Sequence, residues 1–303
     1  MTRTFTVLGC ASQAPTRYRN HNGYFLRWDG EGILFDPGEG TQRQLVLAGV
    51  ASSAITRICI THFHGDHCLG LPGVLGRLAM DQVRHPVDVY YPAGGQAYFE
   101  RLADASVSDR HPDIRPHPVA APGTVHDDRR VRIIANRLDH RTETLGWRIE
   151  EPDGVRMLPE RLEASGVRGP DITTLITNGE LTIDDRIVRL EDVSERRRGQ
   201  TVAFIMDTRL CDAALELADG VDLLVCESTF LSAEAHLAEA YGHLTAAQAA
   251  HLAAAAGARR LVLTHYSQRH PDEQVFRAEA APIFADTIVV RDLDVIDVPA
   301  RLL

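Results

Sequence analysis

The residues best suited to chemistry lie in the segment 61–73, which reads THFHGDHCLGLPG. It carries His62, His64, Asp66 and His67 directly after an apolar, β-branched stretch that predicts a strand. In an extended turn, this H-x-H-x-D-H spacing lets several imidazoles and one carboxylate converge on a small volume. Imidazole and carboxylate ligands together suit zinc, and manganese or iron are further candidates. We interpret the cluster as part of a metal site.

Other ligand-type side chains also stand at the ends of predicted strands. A cluster of four residues cannot by itself complete the ligand sets of two metals, so further ligands are needed, and the candidates are His140, Asp207 and His265. Because the loops at strand ends hold the sites of α/β proteins, we expect these side chains to converge. They are Asp36 in LFD, His140 in RLDH, Asp207 in FIMD, Glu227 in LVCE and His265 in LVLTH. Histidines without that context are interpreted as surface or core residues: His85, His111, His117, His126, His236, His251 and His270.

Strands and helices alternate along the chain, which predicts an α/β fold. The segments TFTVLG, YFLRW, GILFD, ITRICIT and VDVYYP predict strands in the first half, with helices in GTQRQLVLAGV and LPGVLGRLAMDQ. TVAFIMD, VDLLVCE and RRLVLTH predict strands in the second half. The alanine-rich helix before RRLVLTH has a capping box in Thr245 and Gln248, and Gly257 at its C-terminus. The similar segments RICITHFH and RRLVLTHYS indicate two related halves around one cleft.

Between the halves, the segment 158–198 contains Gly-Pro, Asn-Gly and Asp-Asp turn signals and little helical periodicity. We interpret it as an inserted, protruding arm, and an ordinary long connection remains the alternative. From 156 to 198 there are eight arginines and nine acidic residues, a balance of −1. Phosphate affinity grows with the number of neutralised phosphates, so strong RNA binding by this arm requires its charges to be segregated. Arg196, Arg197 and Arg198 form its only dense basic run.

Length and composition, with 44% apolar and 24% charged residues, predict a globular protein of one large α/β domain or two fused halves, and we expect a single domain over 1–303. The apolar stretches are too short to predict a membrane helix, and the N-terminus lacks a signal-peptide pattern, so we expect a cytoplasmic protein. The five scattered cysteines predict buried thiols. A formal charge of −10 argues against nonspecific coating of nucleic acid. All 32 basic residues are arginines, which can bind phosphate bidentately.

The H-x-H-x-D-H motif resembles the metallo-β-lactamase superfamily of dinuclear metallohydrolases. The resemblance narrows to the ribonuclease Z family, the endonucleases that mature the 3′ ends of transfer RNA. It covers about Thr4 to Arg269, and GEGTQRQ and LTHYSQRH are its most specific segments. Further matching segments are PTRYRN, FDPGEGTQRQ, THFHGDHCLGLPG, LDHRTETLGWRIEE and MDTR.

The resemblance implies a four-layered αββα sandwich with the metal site at one edge and a flexible exosite arm that clamps tRNA. It implies two Zn²⁺ per subunit, with Mn²⁺ or another divalent metal possible. One metal would be held by His62, His64 and His140, and the other by Asp66, His67 and His265. Asp207 would bridge them, and Asp36 would support the ligand loops. Two such metals lower the pKa of water and neutralise a phosphodiester.

The resemblance also implies the remaining roles. Asp66 would accept the proton from the attacking water, and His243, oriented by Glu227, would protonate the leaving 3′ oxygen. The partners would be precursor tRNA and a second copy of the chain in a homodimer, with cleavage just after the discriminator nucleotide. Residues expected to contact RNA are Arg17, Arg19, Asn20, Arg168, Arg196, Arg197 and Arg198.

Two other functions remain open from the sequence. The same metal centre serves hydrolases of small phosphodiesters, aryl sulfates and lactones in related families, because the centre alone does not select the substrate. A catalytically inactive RNA-binding or dimerising scaffold is the second alternative, and retention of every expected ligand argues against it.

Overall fold

The computed structural model describes residues 3–107 and 111–301. The domain expected over 1–303 therefore includes termini and a short internal segment that lie outside the described residues. The strands are β1 (Thr4–Gly9), β2 (Gly23–Trp28), β3 (Glu31–Phe35), β4 (Arg57–Cys59), β5 (Val87–Pro92), β6 (Ile114–Val119), β7 (Gly123–Asp127), β8 (Arg132–Leu138), β9 (Thr144–Glu150), β10 (Gly154–Met157), β11 (Glu180–Ile183), β12 (Arg186–Arg189), β13 (Ser194–Arg197), β14 (Thr201–Ile205), β15 (Leu223–Glu227), β16 (Leu261–Thr264), β17 (Thr287–Val289) and β18 (Val295–Asp297).

The helices alternate with these strands, as the sequence predicts for an α/β fold. They are α1 (Thr41–Leu47), α2 (Gly65–Cys68), α3 (Leu71–Met80), α4 (Gln96–Ala103), α5 (Pro159–Ala164), α6 (Pro170–Asn178), α7 (Leu190–Val193), α8 (Asp212–Ala218), α9 (Ala235–Tyr241), α10 (Ala246–Ala255) and α11 (Gln274–Ala280). Among the helices of the described residues, none combines the length and the apolar character that crossing a membrane requires.

Two mixed sheets form the body of the molecule. The first has the order β18-β1-β2-β3-β4-β5-β6, and the second has the order β17-β16-β15-β14-β9-β8-β7. In each sheet, antiparallel pairs give way to consecutive parallel pairs: β3, β4, β5 and β6 in the first, and β14, β15, β16 and β17 in the second. Loops at the carboxyl ends of the parallel strands carry most of the ligand-type residues, and His140 follows the antiparallel strand β8.

The two sheets face each other across the main core. Phe5, Tyr24 and Phe35 of the first sheet contact Phe204 of the second, with ring centroids 4.6–6.3 Å apart. On the outer face of the first sheet, α1, α3 and α4 cover a second apolar cluster. On the outer face of the second sheet, α8 and α10 pack against the central strands. The layers are therefore helix, sheet, sheet and helix, which confirms the predicted αββα sandwich.

Local sequence signals define both ends of helix α10. Thr245 is the N-cap of α10, where its Oγ1 accepts a bond from the Gln248 backbone and the Gln248 side chain accepts from the Thr245 backbone. Gly257 follows the same helix with φ of 63°, a conformation that glycine adopts without a Cβ clash. The predicted capping box and glycine terminus are both confirmed.

An arm is inserted between β9 and β14, which are antiparallel neighbours in the second sheet. Its stalk is the antiparallel pair β10 and β13, so it begins at Gly154, earlier than the expected boundary of 158. Beyond the stalk, α5, α6, α7 and the hairpin β11–β12 enclose a small apolar cluster around Leu162 and Leu175. The arm therefore contains three helices where the sequence suggested little helical structure. With six, nine and four residues, these helices are too short to display a clear 3.6-residue period.

Candidate active site

Sharp turns at strand ends aim the ligand-type residues at one point between the sheets. Asp36 follows β3, Asp207 follows β14 and His265 follows β16. Their φ angles are positive, at 43°, 46° and 61°. This is the left-handed region, which residues other than glycine rarely adopt. Such strained residues persist where the surrounding structure over-determines them, which is common at functional sites.

The first ligand group consists of His62, His64, His140 and one oxygen of Asp207. Nδ1 of His64 lies 2.9 Å from Nε2 of His62 and 3.4 Å from Nε2 of His140. Oδ2 of Asp207 lies 3.5 Å from Nε2 of His62 and 3.7 Å from Nε2 of His140. These four atoms converge without a protein group between them, as the ligands of one cation do.

The second ligand group consists of Asp66, His67, His265 and the other oxygen of Asp207. Oδ1 of Asp207 lies 3.4 Å from Nε2 of His67 and 3.1 Å from Nε2 of His265. Oδ2 of Asp66 lies 3.4 Å and 3.7 Å from the same two nitrogens. Oδ1 of Asp207 and Nε2 of His265 are buried without a hydrogen-bond partner. Buried polar atoms need a partner, and a cation would supply one here.

Hydrogen bonds fix the outward nitrogens of these imidazoles. Oγ1 of Thr61 donates to Oδ2 of Asp36 (2.7 Å) and lies 3.0 Å from Nδ1 of His62, while Nδ1 of His67 also reaches Oδ2 of Asp36 at 2.8 Å. The backbone oxygen of Gly242 accepts from Nδ1 of His140 at 2.7 Å. Each bond leaves Nε2 pointing inward, which is how metal-ligating histidines are oriented.

A second threonine repeats this arrangement on the opposite sheet. Oγ1 of Thr229 donates to Oε2 of Glu227 at 2.6 Å and accepts from Nδ1 of His265 at 2.8 Å. The similarity between the two halves that the sequence suggested therefore extends to the supporting hydrogen bonds.

The electrostatics of the cluster suit divalent cations. Burial lowers the pKa of His62, His64 and His140, which favours the neutral imidazole that binds metal. Burial alone would raise the pKa of Asp207, but the surrounding imidazoles, His265 and His67 foremost, hold it well below its usual range. The aspartate is therefore ionised, as a ligand must be.

Negative charge is concentrated around the second group. Burial alone would lower the pKa of His67, yet Asp207, Asp66 and Asp36 raise it well above its usual value. Within the described residues, no arginine pairs with any of these three carboxylates. A cation in the cluster would meet this demand for positive charge, so the residues present fit divalent metal binding.

His243 and Glu227 form a buried ion pair beside the cluster. Nδ1 of His243 lies 3.0 Å from Oε1 of Glu227 and 3.9 Å from Oδ2 of Asp207. Burial alone would lower the pKa of His243, but the Glu227 and Asp207 carboxylates raise it to about 9. The pair places a protonated imidazole beside the two groups of ligand-type residues.

A cleft of about 570 Å³ opens onto both groups. His64, Asp66, His140, Asp207 and His265 form its floor. The wall comprises His243, Thr229, Phe230, Tyr241, Arg141, His21, Leu69 and the two segments 12–14 and 267–269. The cleft is partly open to the surface.

The residues that the sequence suggested for RNA contact differ in exposure. Arg17 and Arg168 are exposed, whereas Arg19 is 5% exposed, and its guanidinium donates to Oε2 of Glu273 and to the His270 backbone oxygen. Asn20 donates its side-chain amide to the backbone oxygens of His21 and Glu39. We therefore assign Arg19 and Asn20 to holding the loop 13–20 in place. The reason is geometric, since the loop folds back onto Tyr266 and α11.

The basic run of the arm lies at the stalk. Arg196 pairs with Asp153 and Arg197 pairs with Glu151, both at N–O distances of 2.5 Å, while Arg198 lies near Gly220. Arg196 and Arg197 are on β13, the strand that joins the arm to the body, and Arg198 follows it; the charge of the run is partly neutralised.

Sequence reasoning missed several contributors to the site. Thr61, Thr229, Gly242, Phe230 and Tyr241 were not singled out, and neither was His21, whose Nε2 lies 3.2 Å from the Gln13 oxygen. Thr61 precedes His62 and Thr229 follows Glu227 by two residues, which is the only local signal that the sequence offers. In the described part of the chain, the metal-type groups include none of the histidines interpreted as surface or core residues.

Comparison with known proteins decides the family. Residues 16–176 match the metallo-β-lactamase superfamily model, and residues 191–266 match a β-lactamase superfamily domain model. A ribonuclease Z from Nocardia farcinica is 58% identical over 301 residues, which cover 99% of each chain. The chain belongs to the ribonuclease Z family. A ribonuclease Z from Chlamydia muridarum is 47% identical over 96% of this chain and 95% of its own.

The solved structures agree with this membership. The short form of human tRNase Z is 25% identical, with a TM-score of 0.69 over 98% of this chain and all of that one. As a member of the ribonuclease Z family, the protein is a metal-dependent hydrolase, an endoribonuclease.

Proposed function

We propose that this endoribonuclease removes the 3′ trailer of precursor tRNA with two Zn²⁺ ions per subunit. It cuts just after the discriminator nucleotide and leaves a 3′ hydroxyl on the tRNA. The names of its relatives, ribonuclease Z and tRNase Z, support the substrate. A hydrolase of small phosphodiesters is the alternative that the test below separates.

One observation carries the dinuclear assignment. The two oxygens of Asp207 face different ligand groups, Oδ2 towards His62 and His140 and Oδ1 towards His67 and His265. A carboxylate placed this way can bridge two cations. His62, His64 and His140 would complete one ligand set, and Asp66, His67 and His265 the other.

Bound there, two divalent metals would activate water and neutralise the charge of a phosphodiester. Asp66 lies on the floor of the cleft with Oδ2 close to His67 and His265, which suits it to accept the proton of the attacking water. His243 stands on the wall with Nδ1 held by Glu227, so Nε2 is the nitrogen that can protonate the leaving 3′ oxygen. Attack breaks the bond between phosphorus and the 3′ oxygen, and the phosphate stays on the trailer.

The arm is proposed as the tRNA-binding exosite, since it projects from the second sheet on its own stalk and has its own apolar cluster. Arg168, on the turn between α5 and α6, and Arg17, in the loop beside the cleft, are exposed. We propose both as phosphate contacts. A homodimer, in which the arm of one subunit serves the site of the other, completes the proposal.

Cleavage of a precursor tRNA with a short 3′ trailer, mapped to the nucleotide, tests the proposal. The metal-loaded protein should cut beside the discriminator, and Asp66→Ala should abolish the cut. Asp104→Asn, which changes an exposed carboxylate after α4, is the matched control and should cut normally. An intact precursor together with hydrolysis of bis(p-nitrophenyl) phosphate would reject the tRNA assignment and support the small-substrate alternative.

A further inference from the structure

Two aromatic rings form one wall of the cleft, next to His243. Phe230 and Tyr241, which we call the aromatic platform, lie with ring centroids 6.4 Å apart and an interplanar angle of 18°. Phe230 is 3% exposed and its centroid is 6.0 Å from that of His243. Tyr241 is 45% exposed and lines the cleft. The inner ring is therefore part of the fold, while the outer ring presents an open aromatic surface.

Helix α9 delivers Tyr241 to this position. Tyr241 is its last residue, and Gly242 ends the helix with φ of 77°. The turn brings His243 back into the cleft while Tyr241 stays at its mouth. The platform and the candidate proton donor are thus two residues apart on one turn, at a fixed separation.

Two arginines flank the platform. The guanidinium carbon of Arg141 lies 5.9 Å from the centre of the Tyr241 ring, and that of Arg269 lies 5.8 Å from the centre of the Phe230 ring. Both side chains are exposed and line the cleft, and neither forms an ion pair with a described carboxylate. Neighbouring Arg209, by contrast, is paired with Asp139 and Glu239. The platform therefore combines an open aromatic face with unneutralised positive charge.

This combination fits a nucleobase with its adjoining phosphates. Aromatic side chains stack on bases of any sequence, and arginines beside them contact the phosphates. We propose that Tyr241 is a positioning residue that stacks on the base of the nucleotide whose 3′ oxygen leaves, with Arg141 contacting the backbone beside it. This inference rests on the proposed function.

The side of the scissile bond follows from the position of His243. If His243 protonates the leaving 3′ oxygen, the sugar bearing that oxygen is next to its imidazole. The attached base then lies within reach of the wall that Phe230 and Tyr241 form. The base on the trailer side is attached beyond the phosphate, away from this wall.

Fluorescence of 2-aminopurine tests the contact directly, because stacking quenches it. Precursor tRNA would carry 2-aminopurine either at the discriminator or at the first trailer position. Asp66→Asn protein would bind the RNA without cutting it. Binding should quench the discriminator probe, Tyr241→Phe should preserve the quenching, and Tyr241→Ala should abolish it.

Tyr98→Ala is the matched control. Tyr98 is 53% exposed and has the Arg101 guanidinium 5.8 Å from its ring centre, but it does not line the cleft. This variant should quench the probe like the parent in the Asp66→Asn background, and with Asp66 restored it should cleave like the parent. With Asp66 restored, replacing the discriminator by an abasic nucleotide should lower kcat/KM roughly 10-fold in the parent and have little effect in Tyr241→Ala.

Failure of the proposed function and failure of the aromatic platform would give different results. A parent protein that does not bind precursor tRNA contradicts the proposed function. A parent that binds it, but shows the same quenching and the same abasic penalty as Tyr241→Ala, contradicts the platform, as does Tyr241-dependent quenching confined to the trailer probe.

Discussion

At the scale of single residues, two threonine hydroxyls connect buried carboxylates to inward-facing histidines. Thr61 joins Asp36 to His62, and Thr229 joins Glu227 to His265. In both cases the hydroxyl donates to the carboxylate and accepts from Nδ1, which keeps Nε2 available to a metal. The carboxylate then stabilises the imidazole through the hydroxyl, and such supporting bonds tune metal affinity.

Thr229→Val should weaken metal binding, because valine keeps the shape but leaves Glu227 and His265 without their shared partner. We expect about a 10- to 100-fold loss of affinity. Competition with a metallochromic chelator measures it. Thr229→Ser should restore binding.

Ser228→Ala is the control for that substitution. Ser228 is equally buried and adjacent in sequence, but its hydroxyl donates to the Thr264 backbone oxygen and does not contact a metal-type residue. Metal affinity in Thr229→Val equal to that in Ser228→Ala would show that the threonine does not support His265.

At the scale of elements, helix ends place side chains in the site. Gly242 and Gly257 both end helices in the left-handed conformation, with φ of 77° and 63°. A Cβ at Gly242 would lie 2.9 Å from Nδ1 of His140, whereas a Cβ at Gly257 would meet no atom within 4 Å. The two glycines share one backbone requirement and differ in their contact with the site.

Gly242→Ala and Gly257→Ala should each lower the free energy of unfolding by about 1 kcal/mol, because both force alanine into the left-handed region. Only Gly242→Ala should also weaken metal binding, by displacing His140. Urea unfolding and chelator competition measure the two effects. Equal metal affinity in the two variants would refute the proposed role of the Gly242 turn.

Asp292 fastens the loop 11–20 to the body. It accepts from the backbones of Cys10 and Asn20 at 3.2 Å and 2.6 Å, and from the Gln44 side chain at 3.2 Å. Burial raises its pKa to about 6. The protonated form therefore favours folding, and this contribution is complete below the unfolded pKa and lost as pH rises through 6.

Asp292→Asn should remove that dependence. Between pH 4 and pH 7 the free energy of unfolding of the parent should fall by about 2 kcal/mol relative to the variant, since each pKa unit corresponds to about 1.4 kcal/mol and the unfolded carboxyl is already partly ionised at pH 4. Urea unfolding of both proteins across this range measures the difference. A stability difference that is constant with pH would rule out titration of Asp292.

The elements of the body and the ligand-type residues were predictable because each ligand follows an apolar strand. The burial of loop residues and the hydrogen bonds that support the site could not be predicted, because they depend on contacts between distant segments. Burial of Arg19 follows from the fold-back of its loop onto Glu273, and the hydrogen bond between Thr229 and His265 joins the loops that follow two neighbouring strands. In the arm, Pro159 and Pro170 start α5 and α6, and Gly166 and Gly179 follow them in the left-handed conformation. Those proline and glycine positions were the usable signal for helices too short to show a period.

At the scale of the whole molecule, body and arm are built as separate apolar units. The arm leaves and re-enters the second sheet between adjacent antiparallel strands, with Glu150 opposite Thr201. A short turn could therefore close β9 and β14 into a hairpin. The balance of −1 in the arm stands within a chain of charge −10, so the arm carries little of the total negative charge.

Replacing residues 152–199 with a short Gly-Ser linker should leave a folded body with intact metal binding. Hydrolysis of bis(p-nitrophenyl) phosphate should persist, while affinity for precursor tRNA should fall by roughly tenfold or more through loss of a second attachment point. Fluorescence anisotropy measures the affinity. Unchanged tRNA affinity in the shortened protein would remove the exosite role from the arm.

The proposed dinuclear centre requires Asp207 to bridge two metals at the edge of the sandwich. Anomalous diffraction at the zinc absorption edge, from crystals grown with zinc, tests it most directly. We predict two peaks, one among His62, His64 and His140 and the other among Asp66, His67 and His265, with one Asp207 oxygen on each. A single peak, or a pair in which Asp207 contacts only one metal, would contradict the account.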